Sequence, residues 1–318
     1  MQLTPHISPE KISADSWADF LSHNAVFLLA DATFNRDVLA IAEYQSPENL
    51  EINRLYWGEM GRLHASVSPY LIKAHSQNWP QLATDICSQP KWGIAWVLEG
   101  QMMAYTPEQQ LHKLMQHIRS WTLIAEHDSG SEESALLRLW DPEVLTSLLS
   151  ASSDDEITAF FGPASSLVLI DESGCYRHNW PKAGFSSNQR LDAPRRLSST
   201  QYLALDNHNR VRRQREFVSH LHRHHPDTKH WSEPQLHDFI EAGTNRAQEY
   251  GFLGKQQQIK WLTLAVLFGA DFDQQPWAKD LLLAKAEGEQ SRMQQLYRAA
   301  EAELDKLDKL DKEELTHE

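Results

Sequence analysis

The sequence predicts two folded regions of different class: an α/β (α+β) amino-terminal domain, in which a mixed sheet is covered by helices, and an all-α carboxy-terminal domain. Three observations predict this. Strand and helix signals alternate from Val26 to Ile170, which argues for a sheet with helices packed on it. From Lys182 to Leu197, the stretch KAGFSSNQRLDAPRRL supplies Gly, Ser, Asn and Pro with no stable period, the composition of a linker. Beyond Ser198 the apolar residues recur at helical spacing. The resulting organisation is an amino-terminal helical arm over 1–24, an α/β domain over 25–181, a linker over 182–197 and a helical domain over 198–318.

Taken in order, Pro9 to Asn24 offers Ile12, Trp17, Phe20 and Leu21 as the uneven apolar face of a short helix. Val26 to Asp31 reads as a strand. Helical patterns near Arg36–Tyr44, Trp79–Ser88 and Pro107–Trp121 alternate with strands near Lys91–Leu98, Thr122–Glu126, Leu136–Trp140 and Leu167–Ile170. Between Ala135 and Trp140, Leu137 and Leu139 alternate with Arg138 and Trp140, the period of a half-exposed strand. Asp141 then provides an oxygen for the free N–H groups of a new helix, and Pro142 suits its first position. Val144, Leu145, Leu148 and Leu149 form the buried stripe of that helix. A second helix opens at Ser153, where Ser-Asp-Asp-Glu has the spacing of a capping box, and closes on Phe160, Phe161, Gly162 and Pro163. Glu172-Ser-Gly-Cys175 supplies turn chemistry for a hairpin.

In the second region, Val211, Val218 and Leu221 place apolar groups near one helical face, and Ser232-Glu-Pro-Gln235 repeats the capping signal. Gly251 and Gly269 bracket a largely buried helix carrying Ile259, Leu262, Val266 and Leu267. The charge-rich end, Glu287 to Glu318, keeps Leu296, Ala300, Leu304 and Leu307 at helical spacing, a stripe expected to pack on its own domain, with docking of a partner helix the alternative.

The order LLRLWDPEVL, then ITAFFGP, resembles the type VI secretion effector-adaptor family, the Tap-type chaperones, whose shared domain carries the label of a domain of unknown function. Upstream segments fit in the same order: VFLLADATFNRDVLAIA from Val26, SPYLIKA from Ser68 and KWGIAWVLE from Lys91. The segment AQEYGFLGKQQQIKWLTLAVLFGADFDQQPW is also similar to the helical carboxy-terminal portion of several type VI adaptors. Trp140 departs from the Tyr typical of the family, and a polar insert, HDSGSEES, separates two strands. The resemblance implies a cytoplasmic chaperone that holds a cognate effector and delivers it to the VgrG spike, with no activity as an enzyme, no cofactor and no insertion into a membrane. Its motif scaffold falls on Trp92, Gly93, Asp141, Pro142, Phe160, Phe161, Gly162 and Pro163.

Composition agrees. An apolar fraction of 41% with 11 Trp and 11 Phe fills real cores and excludes general disorder. The net charge of -14 disfavours a general nucleic-acid binder. Cys87 and Cys175 have no metal-ligand spacing, the start MQLTPHISPEK lacks the regions of a secretory signal, and the longest apolar run, Trp261 to Ala270, is too short for a bilayer. These features fit the cytoplasm.

The case for chemistry rests on His220, His222, His224, His225 and His230, of which His220 and His224 share a helical face at the spacing metal pairs use. A metal-dependent enzyme on this helix is therefore the competing reading, and an immunity protein that binds the toxin is a third. Arg210, Arg212, Arg213, Arg215 and Arg223 oppose a metal charge. They suit instead bidentate bonds to the carboxylates of a partner or of the first domain. No nucleophile elbow or zinc-protease motif is present. Gly251-Phe-Leu-Gly254-Lys255 lacks the spacing of a phosphate loop and reads as a turn between helices. Among the aromatics, Trp92 and Trp96 read as core, and Trp57 joins Arg210, Arg212, Arg213 and Arg215 as a candidate contact for a protein partner.

Overall fold

The computed structural model describes residues 9–13, 16–33, 35, 37–45, 53–89, 91–125, 134–171, 174–180, 195–283 and 288–315. The chain divides into two compact units, one up to His208 and one from Asn209 onward.

The first unit is built on a sheet of order β1-β8-β7-β4-β2-β3, formed by Glu10–Ile12 (β1), Ala25–Ala30 (β2), Tyr70–Ala74 (β3), Gly93–Leu98 (β4), Ser166–Asp171 (β7) and Gly174–Asn179 (β8). Its ladders are antiparallel. A small separate pair joins Leu123–Ala125 (β5) to Ser134–Leu136 (β6). The central strands AVFLLA and GIAWVL are buried at every position. Such continuous apolar runs are what a strand covered on both faces requires.

Two cores account for that burial. On one face Phe27, Leu29, Ile94, Trp96 and Leu167 pack with Leu114, Ile118 and Trp121 of Pro107–Thr122 (α5), and with the apolar stripes of Pro142–Ser150 (α6) and Asp154–Phe161 (α7). On the other, Val26, Leu28, Ile72, Ala95 and Val97 meet Trp17 and Leu21 of Trp17–His23 (α1) and Val38 and Ile41 of Asp37–Gln45 (α2). Gly58–Leu63 (α3) lies between β2 and β3 in the chain, and Trp79–Leu82 (α4) runs directly into a π turn at Ala83–Cys87. The expected class, a sheet with helices followed by an all-helical region, is the class observed.

Several local expectations change. The helix expected from Pro9 is a strand at Glu10–Ile12 followed by α1, because the backbone of residues 10–12 pairs with Arg177, Tyr176 and Cys175. The strand expected to reach Trp140 ends at Leu136, and a turn follows. Leu137, Leu139 and Trp140 are all buried, so the alternation there reflects a folded loop and not one pleated face. β7 and β8 form the expected hairpin with Asp171 opposite Gly174. Its turn residues Glu172 and Ser173, the linker from 182 to 194, most of the polar insert and residues 1–8 lie outside the described residues.

The second unit is helical. Ser199–His224 (α8) begins in the first unit and continues into the second, where Glu233–Glu249 (α9), Lys255–Phe268 (α10), Pro276–Leu283 (α11) and Glu289–Leu315 (α12) follow. Phe217, Leu221, Leu236, Ile240 and Leu262 form one core cluster. Phe252, Trp261, Phe272, Met293 and Leu296 anchor the other. Leu296 and Ala300 are buried, so the charged last helix does pack on its own unit over that stretch; Leu304 is half-buried, and Leu307 lies outside the described side chains. Among the described residues, no helix is long and apolar enough to cross a membrane.

Candidate partner-binding surfaces

The motif residues of the first unit form a framework. Asp31, at the end of β2, is fully buried. Its carboxylate accepts bonds from the Thr33 backbone N–H (2.8 Å), the Thr33 hydroxyl (2.6 Å) and Trp140 Nε1 (2.8 Å), and it pairs with Arg138 at 3.2 Å. The turn after β6 is thereby fastened to the sheet. Asp141 caps α6 by accepting from the Glu143 N–H at 3.0 Å, with Pro142 at the helix start. Trp92 is buried and donates through Nε1 to the Ile170 carbonyl at 3.1 Å. At Gly93, φ is +141° and a Cβ would stand 1.9 Å from the Leu29 carbonyl oxygen, so a side chain cannot fit.

The Phe-Gly-Pro stop works the same way. Phe160 lies 5.6 Å from Trp96 and 5.3 Å from Trp121 between ring centres, and Phe161 stacks on Trp180 at 6.2 Å. Gly162 has φ +53°, and a Cβ there would meet His117 Cε1 at 2.2 Å. His117 in turn donates from Nε2 to the Phe160 carbonyl at 2.7 Å, and burial holds its pKa down to about 4. Pro163 is buried.

Trp57 differs from these residues in being 37% exposed at the entry to α3. Arg119 lies over its ring at 5.8 Å while donating to the Leu55 and Arg54 carbonyls at 3.1 and 2.7 Å. Leu63 and Val67 on the same excursion are also exposed. An indole held by its neighbours, yet open to solvent, has met much of its ordering cost within the fold.

In the second unit, the arginine-bearing stretch of α8 borders a groove of about 550 Å³. Val211, Arg215, Val218 and His222 recur at four- and three-residue steps along one face of α8 and line it. Trp231, Leu236 and His237 line the opposite side, together with Glu233 at the start of α9. Trp231 is fixed edge-on against Phe239 at 5.0 Å. Of the arginines singled out from sequence, Arg215 reaches this groove, Arg212 pairs with Glu216 at 3.7 Å, and Arg210 and Arg213 are exposed. The groove's apolar floor was not evident from the charged sequence around it, although the spacing of Val211 and Val218 was a visible signal.

His220 and His224 come together, ring centres 4.5 Å apart. Burial, then His224, His225 and Arg223, lower the pKa of His220. Among the described residues, no group of three or more His, Cys, Asp or Glu is arranged to hold a metal ion.

No curated protein and no solved structure matches the chain. Residues 26–159, running from β2 into α7 and lying wholly in the first unit, match the family model described as Domain of unknown function (DUF4123).

Proposed function

We propose that this protein is a type VI secretion effector adaptor: it binds a cognate effector and passes it to the VgrG spike without acting as an enzyme. The observation that carries the proposal is the match of residues 26–159 to the DUF4123 model, a domain associated with adaptor roles in type VI secretion. Supporting it, the matched segment supplies β2, β3 and β4 of a sheet covered on both faces, a rigid base on which surface groups are held in place. A standard protein interface of ~1,600 Å² with a few aromatic anchors serves reversible capture, and Trp57 is such an anchor. On this reading the adaptor works in the cytoplasm before export.

Co-expression of the full chain with the effector encoded beside it, followed by pull-down with effector and then with VgrG, tests the proposal. The expected result is a higher soluble yield of effector and a complex that also retains the spike. Trp57→Ala is expected to reduce effector recovery about ten-fold, as loss of an interface anchor does, while the melting temperature stays within about 2 °C of the parent because the ring is not part of the core. Failure of the parent chain to retain either effector or spike would overturn the reading.

A further inference from the structure

The groove on the second unit has the chemistry to receive a particular kind of segment, and we infer that it docks an amphipathic helix with acidic flanks contributed by another polypeptide. Three features argue for this occupant. The floor is apolar, made by Val211, Val218, Trp231 and Leu236, and is elongated along α8, as a helix-in-groove contact requires. Its volume, about 550 Å³, suits a row of inserted side chains. The third feature is charge. From Asn209 to His225, α8 and the residue after it carry five arginines, at 210, 212, 213, 215 and 223, against a single acid, Glu216.

That acid is already engaged, by Lys255 at 2.7 Å and Arg212 at 3.7 Å. Arg215, at the groove edge, makes no ion pair or hydrogen bond with a described residue. Of these arginines, Arg215 is the one that lines the groove, and beside an open apolar floor its guanidinium selects a partner with a carboxylate along that edge and leucine-like side chains beneath. Glu233 stands on the opposite wall, so the acidic edge of the occupant faces α8 and its other edge is neutral or basic. A nucleic acid satisfies Arg215 but has nothing to offer the apolar floor.

The chemistry of the occupant follows from the groove alone; assigning that helix to the effector rests on the adaptor reading. The full chain should be titrated against a fluorescein-labelled helical peptide of about 20 residues, carrying leucines at three- and four-residue steps and glutamates along one edge, and against its lysine-edged counterpart. Saturable anisotropy with the acidic peptide is expected, at least about ten-fold tighter than with the basic one, and weakening as salt rises. Arg215→Glu, an exposed position whose change leaves the fold intact, should erase or reverse that preference. Equal binding of both peptides, or an unchanged preference in Arg215→Glu, overturns the proposal. So does displacement of the peptide by an oligonucleotide at lower concentration, or a dimer of the full chain in sedimentation that excludes the peptide. The two readings separate cleanly. If effector co-purifies equally with Arg215→Glu, the groove is not the effector's site and the adaptor reading stands; if no effector co-purifies with the parent, the adaptor reading falls and the peptide result is untouched.

Discussion

Asp31 concentrates more of the first unit's architecture than any residue singled out from the sequence. A buried carboxylate is costly unless its oxygens are bonded, and here a guanidinium, an indole N–H, a hydroxyl and a backbone N–H converge on it. Asp31→Ala leaves Trp140 Nε1 and Arg138 without this acceptor, and it should destabilise the unit by about 3 kcal/mol. Trp140→Phe removes a single donor and should cost about 1 kcal/mol. Urea midpoints of the two single variants and the double variant check this: a double variant no worse than Asp31→Ala shows that the pair acts through one bond. The sequence displayed Asp31 only as the residue ending an apolar run, and Trp140 only as the end of an alternating segment. Their partnership spans two distant segments, and no local period reports such a contact.

At the level of the element, end signals proved more legible than elements lacking a period. The capping boxes at Ser153–Glu156 and Ser232–Gln235 were readable because their chemistry is local, and both close as expected. The same spacing at Thr106–Gln109 also closes a box and starts α5. Ser153→Ala should cost about 1 kcal/mol, read as a lower urea midpoint with an unchanged slope. A changed slope would mean that α7 had been lost rather than frayed. In contrast, β1 has three residues and no room for a pattern, and its partner β8 lies at the far end of the unit's sequence. The turn at Leu139–Trp140 is the opposite case: a period of two is present, but the burial of Trp140 alongside Leu137 and Leu139 is not visible in it. The groove of the second unit sits between these cases. Its α8 wall was legible as spacing, while the wall from Trp231 to His237 depended on how α9 folds back.

For the molecule as a whole, two histidines, His117 half-buried and His178 fully buried, should govern how stability responds to acid. His117 and His178 both have pKa values lowered to about 4, chiefly by burial, and neither ring nitrogen of His178 is bonded to a described residue. Unfolding returns each to an ordinary value near 6.5. The folded state therefore binds fewer protons than the unfolded state between these limits, and stability falls as pH is lowered through that window. Above pH 6.5 their contribution is fully present; at pH 5 each is expected to have removed about 2 kcal/mol from the first unit. His117→Gln retains a donor for the Phe160 carbonyl but does not titrate, so its loss between pH 7 and pH 5 should be smaller than the parent's by about 2 kcal/mol. Hydrogen exchange of the β4 amides in the full chain, corrected for the intrinsic pH dependence of exchange, reads this unit without interference from the second. An identical loss in parent and variant would show that His117 already takes up its proton in the folded state, and that the carbonyl of Phe160 outweighs the cost of burying the charge.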